Sequence, residues 1–200
     1  VFVIPGLVML AIVTTSYANT SFTFFSSKFF ARNIEEILVS PTPPWLLIAG
    51  FTAGGLVRGV LVGAIVLIVS VFFTGLHLAL HNFLVIFLFA VLTALVFSLA
   101  GLVNGVYAKS IDGINIVPTF VLTPLVYLGG VFYSVHSLPV AAQYVTYVNP
   151  IFYLINGFRY GFLGIADIAI WISIAVLGAM IVALIAINWY LIRTGLGLKQ

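Results

Sequence analysis

Residues 46–74, LLIAGFTAGGLVRGVLVGAIVLIVSVFFT, carry one charged side chain, that of Arg58. A helix of about 20 such residues crosses the hydrocarbon core of a bilayer, and comparable apolar runs recur along the whole chain of 200 residues. These runs lack the alternation of polar and apolar residues found in outer-membrane barrel strands. Because a backbone in lipid must satisfy its own polar groups, we predict that each run is a helix.

The composition indicates a membrane protein. Hydrophobic residues make up 64% of the chain and charged residues 6%, whereas a soluble domain carries about 25% charged residues. The net charge of +3 is too small and too scattered to indicate a nucleic-acid partner, and the absence of cysteine excludes disulfides. We therefore predict an all-α membrane protein, a polytopic helical bundle that forms one domain over 1–200 and is surrounded by membrane lipid.

Lys and Arg orient the predicted spans, because they are enriched in short cytoplasmic connections. The pattern predicts that 28–45, 108–113 and the C-terminus are cytoplasmic, and that 75–82 and 136–167 are extracytoplasmic. Val1 would then lie outside, so we expect one more helix before it; a five-helix protein is the alternative. The five predicted spans are roughly 3–29, 46–74, 80–108, 114–135 and 168–193. The residues that orient them are Lys28, Arg32, Lys109, Arg193 and Lys199.

Segment 31–45, ARNIEEILVSPTPPW, holds two of the chain's four acidic residues. Ile34, Ile37 and Leu38 follow helical spacing and share one face, and Pro41 ends this short helix. Its polar side carries more acid than base, which suits a protein partner better than anionic lipid. The segment is interpreted as a cytoplasmic amphipathic helix that a protein partner binds; an ordinary interfacial loop is the alternative.

A spaced motif lies in 122–159, LTPLVYLGGVFYSVHSLPVAAQYVTYVNPIFYLINGFR. It resembles the signature of the ABC-2 type transporter permeases, the membrane subunits of bacterial exporters. The matching positions are Leu128-Gly129 with Val131, Leu138-Pro139, Pro150-Ile151, Tyr153 and Arg159.

This resemblance implies the transmembrane domain of a type II, ABCG-like exporter in the bacterial inner membrane. Six helices are usual in such permeases, so this chain would contain the last five. It would pair with a second permease, identical or similar, and with cytoplasmic ATPase subunits. The sequence has no G-x-x-x-x-G-K-[ST] loop, so ATP would bind the partner and not this chain. No catalytic set is evident, and we expect no enzyme and no cofactor here.

The resemblance also assigns roles to residues. Segment 32–41 corresponds to the coupling helix that docks on the ATPase, with Arg32, Glu35 and Glu36 as polar contacts. Ile34 and Leu38 would pack.

The family's extracytoplasmic helices, which re-enter the outer leaflet without crossing, correspond to 136–167. We predict a helix over 140–148, a break at Asn149-Pro150 and a second helix over Ile151–Leu163. Arg159 would bond carbonyls freed at this break, meet headgroups, or extend to the outer surface; we favour a role in shaping a gate.

The predicted gate residues are Gly129, Gly130, Pro139, Pro150, Tyr153 and Arg159. Gly129, Gly130 and Pro124 would let the fourth helix bend and approach a neighbour.

Arg58 lies within the second predicted span, where a charge costs about 3 kcal/mol on insertion scales. It would serve a pathway or an interface, or extend towards the cytoplasmic side. Glycines recur every four residues around it, at Gly50/Gly54 and Gly55/Gly59/Gly63, a spacing typical of close helix packing.

Hydroxyl groups follow one face of the first predicted span, at Ser16, Thr20, Thr23 and Ser27, with Asn19 beside them. They would line a route for polar cargo or, the favoured reading, form hydrogen bonds between helices. His77 and His81 lie four residues apart, but no cysteine or acidic residue is near, so we expect no metal site.

The alternative function is a secondary transporter or a channel not driven by ATP. That class places ionisable groups at mid-membrane, and Arg58 alone qualifies. An intramembrane enzyme would need a pair of acid and base residues at membrane depth. The residues do not identify the cargo.

Overall fold

The computed structural model describes residues 3–30, 34, 42–74, 81–131 and 140–197. Within these ranges the regular elements are all helical. They are α1 (Val3–Phe29), α2 (Pro44–Thr74), α3 (Phe83–Tyr107), α4 (Ile111–Val117), a π-helical turn (Pro118–Leu122), α5 (Thr123–Leu128), α6 (Val140–Val148), α7 (Pro150–Leu163) and α8 (Ile170–Thr194).

Five helical stretches are long and apolar enough to cross a membrane, which confirms the five predicted spans. The fourth consists of α4, the π-helical turn and α5, and it covers Ile111–Leu128, a shorter stretch than predicted. It ends there because Gly129 caps it and Gly130 has a φ of 86°, a conformation that glycine adopts without steric cost. The third begins at Phe83 because the Asn82 side chain accepts hydrogen bonds from the backbone N–H groups of the first turn.

Helix α1 packs most extensively against α2 and α3, which also contact each other. Its close contact with α2 involves three of the five glycines in the pattern. A methyl group at Gly55, Gly59 or Gly63 would collide with α1 side chains, whereas Gly50 has nothing within 4 Å. The packing role of the four-residue glycine spacing is therefore confirmed for the second set, inside one subunit.

The fourth span is irregular at Pro118, which has no N–H to donate to the carbonyl of Ile114. That carbonyl accepts a hydrogen bond from Asn104 Nδ2 of α3 instead, at 3.0 Å. The same amide donates to Ser21 Oγ of α1 at 2.9 Å. Asn104 therefore joins three helices where the span departs from α-helical geometry.

Candidate gate, coupling and pathway sites

The first site is the end of the bundle where the fourth span stops, here named the Arg159 end. The two short helices predicted over 140–148 and 151–163 are confirmed as α6 and α7, with Asn149 between them. The Asn149 side chain accepts a hydrogen bond from Ile151 N at 3.0 Å and so caps α7. Its amide donates to the carbonyl of Leu125 at 2.6 Å, which fixes α7 to the fourth span.

Close backbone packing completes that junction. A Cβ on Gly129 would lie 2.8 Å from Ile151 Cγ2, and one on Gly6 would lie 2.8 Å from the carbonyl oxygen of Val131. Larger side chains at either glycine would therefore push the elements apart. The predicted approach of the fourth helix to a neighbour is confirmed, and the neighbour is α7.

Arg159 on α7 is 3% exposed. Its Nη1 donates to Asp167 Oδ2 at 2.9 Å, and its Nη2 donates to the carbonyl of Gly130 at 2.8 Å. Burial lowers the pKa of Arg159, and the Asp167 carboxylate acts in the opposite direction by raising it. The guanidinium is held inside the protein, so the predictions that it extends to the outer surface or contacts headgroups are wrong. Arg159 was also predicted to bond a carbonyl at the break between the two short helices. The Gly130 carbonyl that it bonds lies instead at the end of the fourth span.

Asn156 is a residue that the sequence reasoning missed. It is fully buried, and its Oδ1 accepts from the backbone N–H groups of Asp167 at 2.8 Å and Ile168 at 3.3 Å. Its Nδ2 donates to the carbonyl of Ile168 at 3.0 Å and to Ser173 Oγ at 3.2 Å. One turn of α7 thus holds the loop before α8 through Asn156 and the fourth span through Arg159.

The remaining predicted gate residues have more local contacts. The Tyr153 hydroxyl donates to the carbonyl of Tyr147 at 2.9 Å, so it ties α7 to the end of α6. Pro150 occupies the first turn of α7, where its missing N–H leaves no bond unmade. Pro139 lies outside the described residues.

The second site is the opposite end of the bundle, here named the Lys28 end. Lys28 is buried, and its ammonium donates to the carbonyl of Val106 at 3.1 Å and to that of Gly197. These carbonyls lie near the ends of α3 and α8, where helices leave acceptors unsatisfied. The ends of α1, α3 and α8 therefore meet here, at the end of the bundle that is predicted to be cytoplasmic.

Ile34 is the described residue of the predicted coupling helix, and it is 2% exposed. It belongs to an apolar cluster with residues of four helices, among them Phe24, Leu47, Leu102 and Leu191. Its side chain therefore packs inside its own subunit. Arg32, Glu35, Glu36 and Leu38 lie outside the described residues.

The third site is an open groove of about 580 Å³ along α1 and α2. Arg58 is exposed there, and its Nη1 donates to Asn19 Oδ1 at 2.8 Å. Arg58 and Thr23, both predicted for a pathway or an interface, line it together. The full lining is Thr14, Thr15, Ala18, Asn19, Phe22, Thr23 and Arg58.

Ser16 and Thr20 point elsewhere, into the contact with α2. Both are fully buried and lie against the backbone of Gly59 and Gly55. Within the described part of the chain their hydroxyl oxygens have no hydrogen-bond partner. The favoured reading of this face, hydrogen bonding between helices, is therefore not what these two hydroxyls do; they fill the space beside the glycines.

Histidine and acidic residues form no metal centre within the ranges that the structure describes. His81 contacts the Tyr160 ring edge-on, with 5.3 Å between ring centroids, and His77 is outside those ranges.

Comparison with known proteins agrees with these features. The family described as ABC-2 type transporter matches residues 1–163. Curated relatives in Escherichia coli K12, Escherichia coli O157:H7 and Shigella flexneri are 51% identical to the chain over 199 residues. Each is named "Inner membrane transport permease YadH", and the alignment covers 100% of this chain and 77% of the relative. The chain belongs to the ABC-2 type transporter family.

Proposed function

We propose that this permease is driven through segment 31–45 by a cytoplasmic ATPase, and that the movement opens a path outward at the Arg159 end. Family membership makes the chain the membrane-spanning permease subunit of an ATP-binding cassette exporter of the bacterial inner membrane. Such a subunit is not itself catalytic. The family also implies pairing with an ABC ATPase, and ATP would bind that subunit.

The burial of Ile34 is the observation that carries the coupling proposal. This side chain connects segment 31–45 to an apolar cluster built from α1, α2, α3 and α8. Because close-packed side chains transmit displacement instead of absorbing it, a shift of the segment moves the ends of four helices together. Arg32, Glu35, Glu36 and Leu38 would supply the surface that the ATPase grips.

The Arg159 end is the other half of the proposal. Helix α7 has 14 residues, so it is about 21 Å long at about 1.5 Å per residue, too short to cross a hydrocarbon core of about 30 Å. Ten of its 14 residues are buried. We propose that α6 and α7 close the outer side of the path, and that a second permease, identical or similar, supplies the other wall.

Reversing the charge of the segment tests the coupling. Glu35→Lys combined with Glu36→Lys should release the ATPase during purification of the complex, because the acidic contacts become repulsive. Asp112→Lys is the matched control, since Asp112 is exposed and lies in 108–113, which is predicted to be cytoplasmic. The control should retain the ATPase and show the same melting temperature as the double variant. Equal retention of the ATPase by the wild-type protein, the double variant and the Asp112→Lys control would overturn the docking role.

The orientation is tested separately. The chain contains no cysteine, so Glu36→Cys provides a single labelling site. A thiol reagent that cannot enter cells should leave this site unmodified in intact cells and modify it after permeabilisation. Modification in intact cells would place the segment on the wrong side and remove the mechanism.

A further inference from the structure

The groove along α1 and α2 lies deep within two membrane-spanning helices. Arg58 is about 21 Å from Pro44 and about 24 Å from Thr74 along α2, at about 1.5 Å per residue, so its Cα lies near the middle of that helix. Lipid tails offer no partner to a guanidinium or to an amide at this depth. The exposed polar side chains here therefore face water, protein or a ligand.

Asn19 holds the guanidinium at the groove and leaves donors available. The hydrogen bond to Asn19 Oδ1 uses Nη1 of Arg58, whereas a guanidinium carries five N–H donors. Thr15 and Thr23 line the same groove and bring further hydroxyls. The Thr14 hydroxyl donates a hydrogen bond to the carbonyl of Leu10 in its own helix, at 2.8 Å.

Within the ranges that the structure describes, the chain supplies no carboxylate to pair with Arg58. Its four acidic residues are Glu35, Glu36, Asp112 and Asp167. Asp112 lies in the first turn of α4 and Asp167 pairs with Arg159. The two glutamates of segment 31–45 lie outside the described residues. The described residues of an identical second copy docked over the groove would add another Arg58 and no acid at this depth. The partner of highest complementarity is therefore an anion that is not part of the protein.

The walls beside the groove are apolar. Phe22 belongs to its lining, and Val57 and Leu61 are exposed on α2 next to Arg58. An acidic group at Arg58 can thus be joined to a hydrocarbon chain that lies along these side chains. The volume of about 580 Å³ is within the usual range of small-molecule sites, about 300–1,000 Å³.

We infer that this groove binds an amphipathic anion, a phosphate or carboxylate group carried on an apolar chain, with Arg58 and Asn19 contacting the acidic group. The inference rests on the proposed function, because it takes the groove to be part of the export path. Guanidinium groups recognise phosphate and carboxylate through paired hydrogen bonds. The anion comes either from the headgroup of a membrane lipid or from a free amphiphile.

Binding can be measured on the permease–ATPase complex in phosphatidylcholine nanodiscs. The free probe is dodecyl phosphate, with dodecyl maltoside as a neutral competitor of equal chain length. The lipid probe is phosphatidylglycerol, added to the nanodisc and counted by native mass spectrometry. Arg58→Gln removes the charge, Arg58→Lys keeps it, and Arg193→Gln removes an exposed arginine at the end of α8.

We expect at least tenfold weaker binding of the anionic probe to Arg58→Gln, a smaller loss for Arg58→Lys, which keeps the charge but not the paired hydrogen bonds, and a change of less than about threefold for Arg193→Gln. Such a tenfold loss corresponds to about 1.4 kcal/mol. If only the binding of dodecyl phosphate depends on Arg58, the ligand is a free amphiphile. If only the binding of phosphatidylglycerol depends on Arg58, the ligand is a lipid headgroup. Either result supports the site. Equal binding by Arg58→Gln, or equal competition by dodecyl maltoside, overturns it. Loss of association between permease copies in Arg58→Gln, with probe binding per copy unchanged, also overturns it in favour of a protein interface.

These outcomes are separate from a failure of the coupling proposal. Retention of the ATPase by Arg58→Gln is measured in the same preparation, and it depends on segment 31–45. If the ATPase is retained and the anion is lost, both proposals stand. If the anion is bound independently of Arg58 while the ATPase is retained, the groove proposal alone fails.

Discussion

The guanidinium of Arg159 lies 2.9 Å from the carboxylate of Asp167, and both side chains are almost completely buried, at 4% and 6% exposure. The pair links α7 to the loop before α8, while the second amino group of Arg159 holds the carbonyl of Gly130 at the end of the fourth span. One side chain thus joins three parts of the Arg159 end.

Asp167→Asn should destabilise the protein because it removes the carboxylate from a buried arginine. Breaking such a pair costs about 3–5 kcal/mol, and a chain of this size loses about 2–4 °C in melting temperature per kcal/mol. We therefore expect a melting temperature at least about 6 °C lower, measured in detergent by fluorescence-detected size exclusion. Asp112→Asn is the control, since Asp112 is exposed. Equal melting temperatures for both variants would contradict a structural role for the pair.

Asn156→Ala should loosen the loop that precedes α8. The substitution leaves the N–H groups of Asp167 and Ile168 without their acceptor, at a cost of about 1–3 kcal/mol for each unsatisfied buried group. Hydrogen exchange at these two amides should accelerate and the melting temperature should fall. Asn115→Ala is matched to it, because the exposed Asn115 bonds only a carbonyl of its own helix among the described contacts. Exchange rates that do not distinguish the two variants would argue against this role.

The spans were predictable because only a long apolar sequence that forms a helix is stable in the hydrocarbon core of a bilayer. A charge-poor apolar run of sufficient length has no other stable state in a bilayer, so the predicted bounds differ from those observed by a few residues, except at the end of the fourth span, which stops at Leu128 and not at 135. The junction of α6 and α7 was equally predictable from the sequence. Asn149 and Pro150 form an N-cap and a first-turn proline, which is a local signal for a helix start.

The polar contacts between helices were not predictable in this way. Lys28 was interpreted as a topology signal, but its ammonium binds carbonyls near the ends of two other helices, and no local pattern specifies that these two ends lie beside it. Asn156 resembles any other polar residue in an aromatic stretch. One signal was available: Arg159 and Asp167 are the two charged residues of 136–167, and opposite charges in an apolar segment are expected to pair.

The glycines of α2 permit a direct test of how tightly α1 and α2 pack. Gly59→Ala should destabilise the protein by about 1–3 kcal/mol through overpacking, because its methyl group would collide with the Ser16 side chain. Gly50→Ala lies in the same helix with nothing within 4 Å, and it should be neutral or stabilise by up to about 1 kcal/mol. The melting temperatures of the two variants should therefore move in opposite directions or differ by several degrees. A similar shift for both would show that α1 and α2 do not approach at Gly59.

Lys28→Met should weaken the Lys28 end without changing its shape. Methionine fills the volume of the aliphatic stem but donates no hydrogen bond, so the carbonyls of Val106 and Gly197 lose a charged donor, a loss of about 1.5–3 kcal/mol. We expect a melting temperature lower by at least about 3 °C and faster hydrogen exchange over 195–197. Lys109→Met is the control, because Lys109 is exposed and its loss removes the same positive charge from the predicted cytoplasmic side. If both variants melt alike and their C-terminal turns exchange alike, Lys28 acts only through its charge, and the two helix ends are held by other contacts.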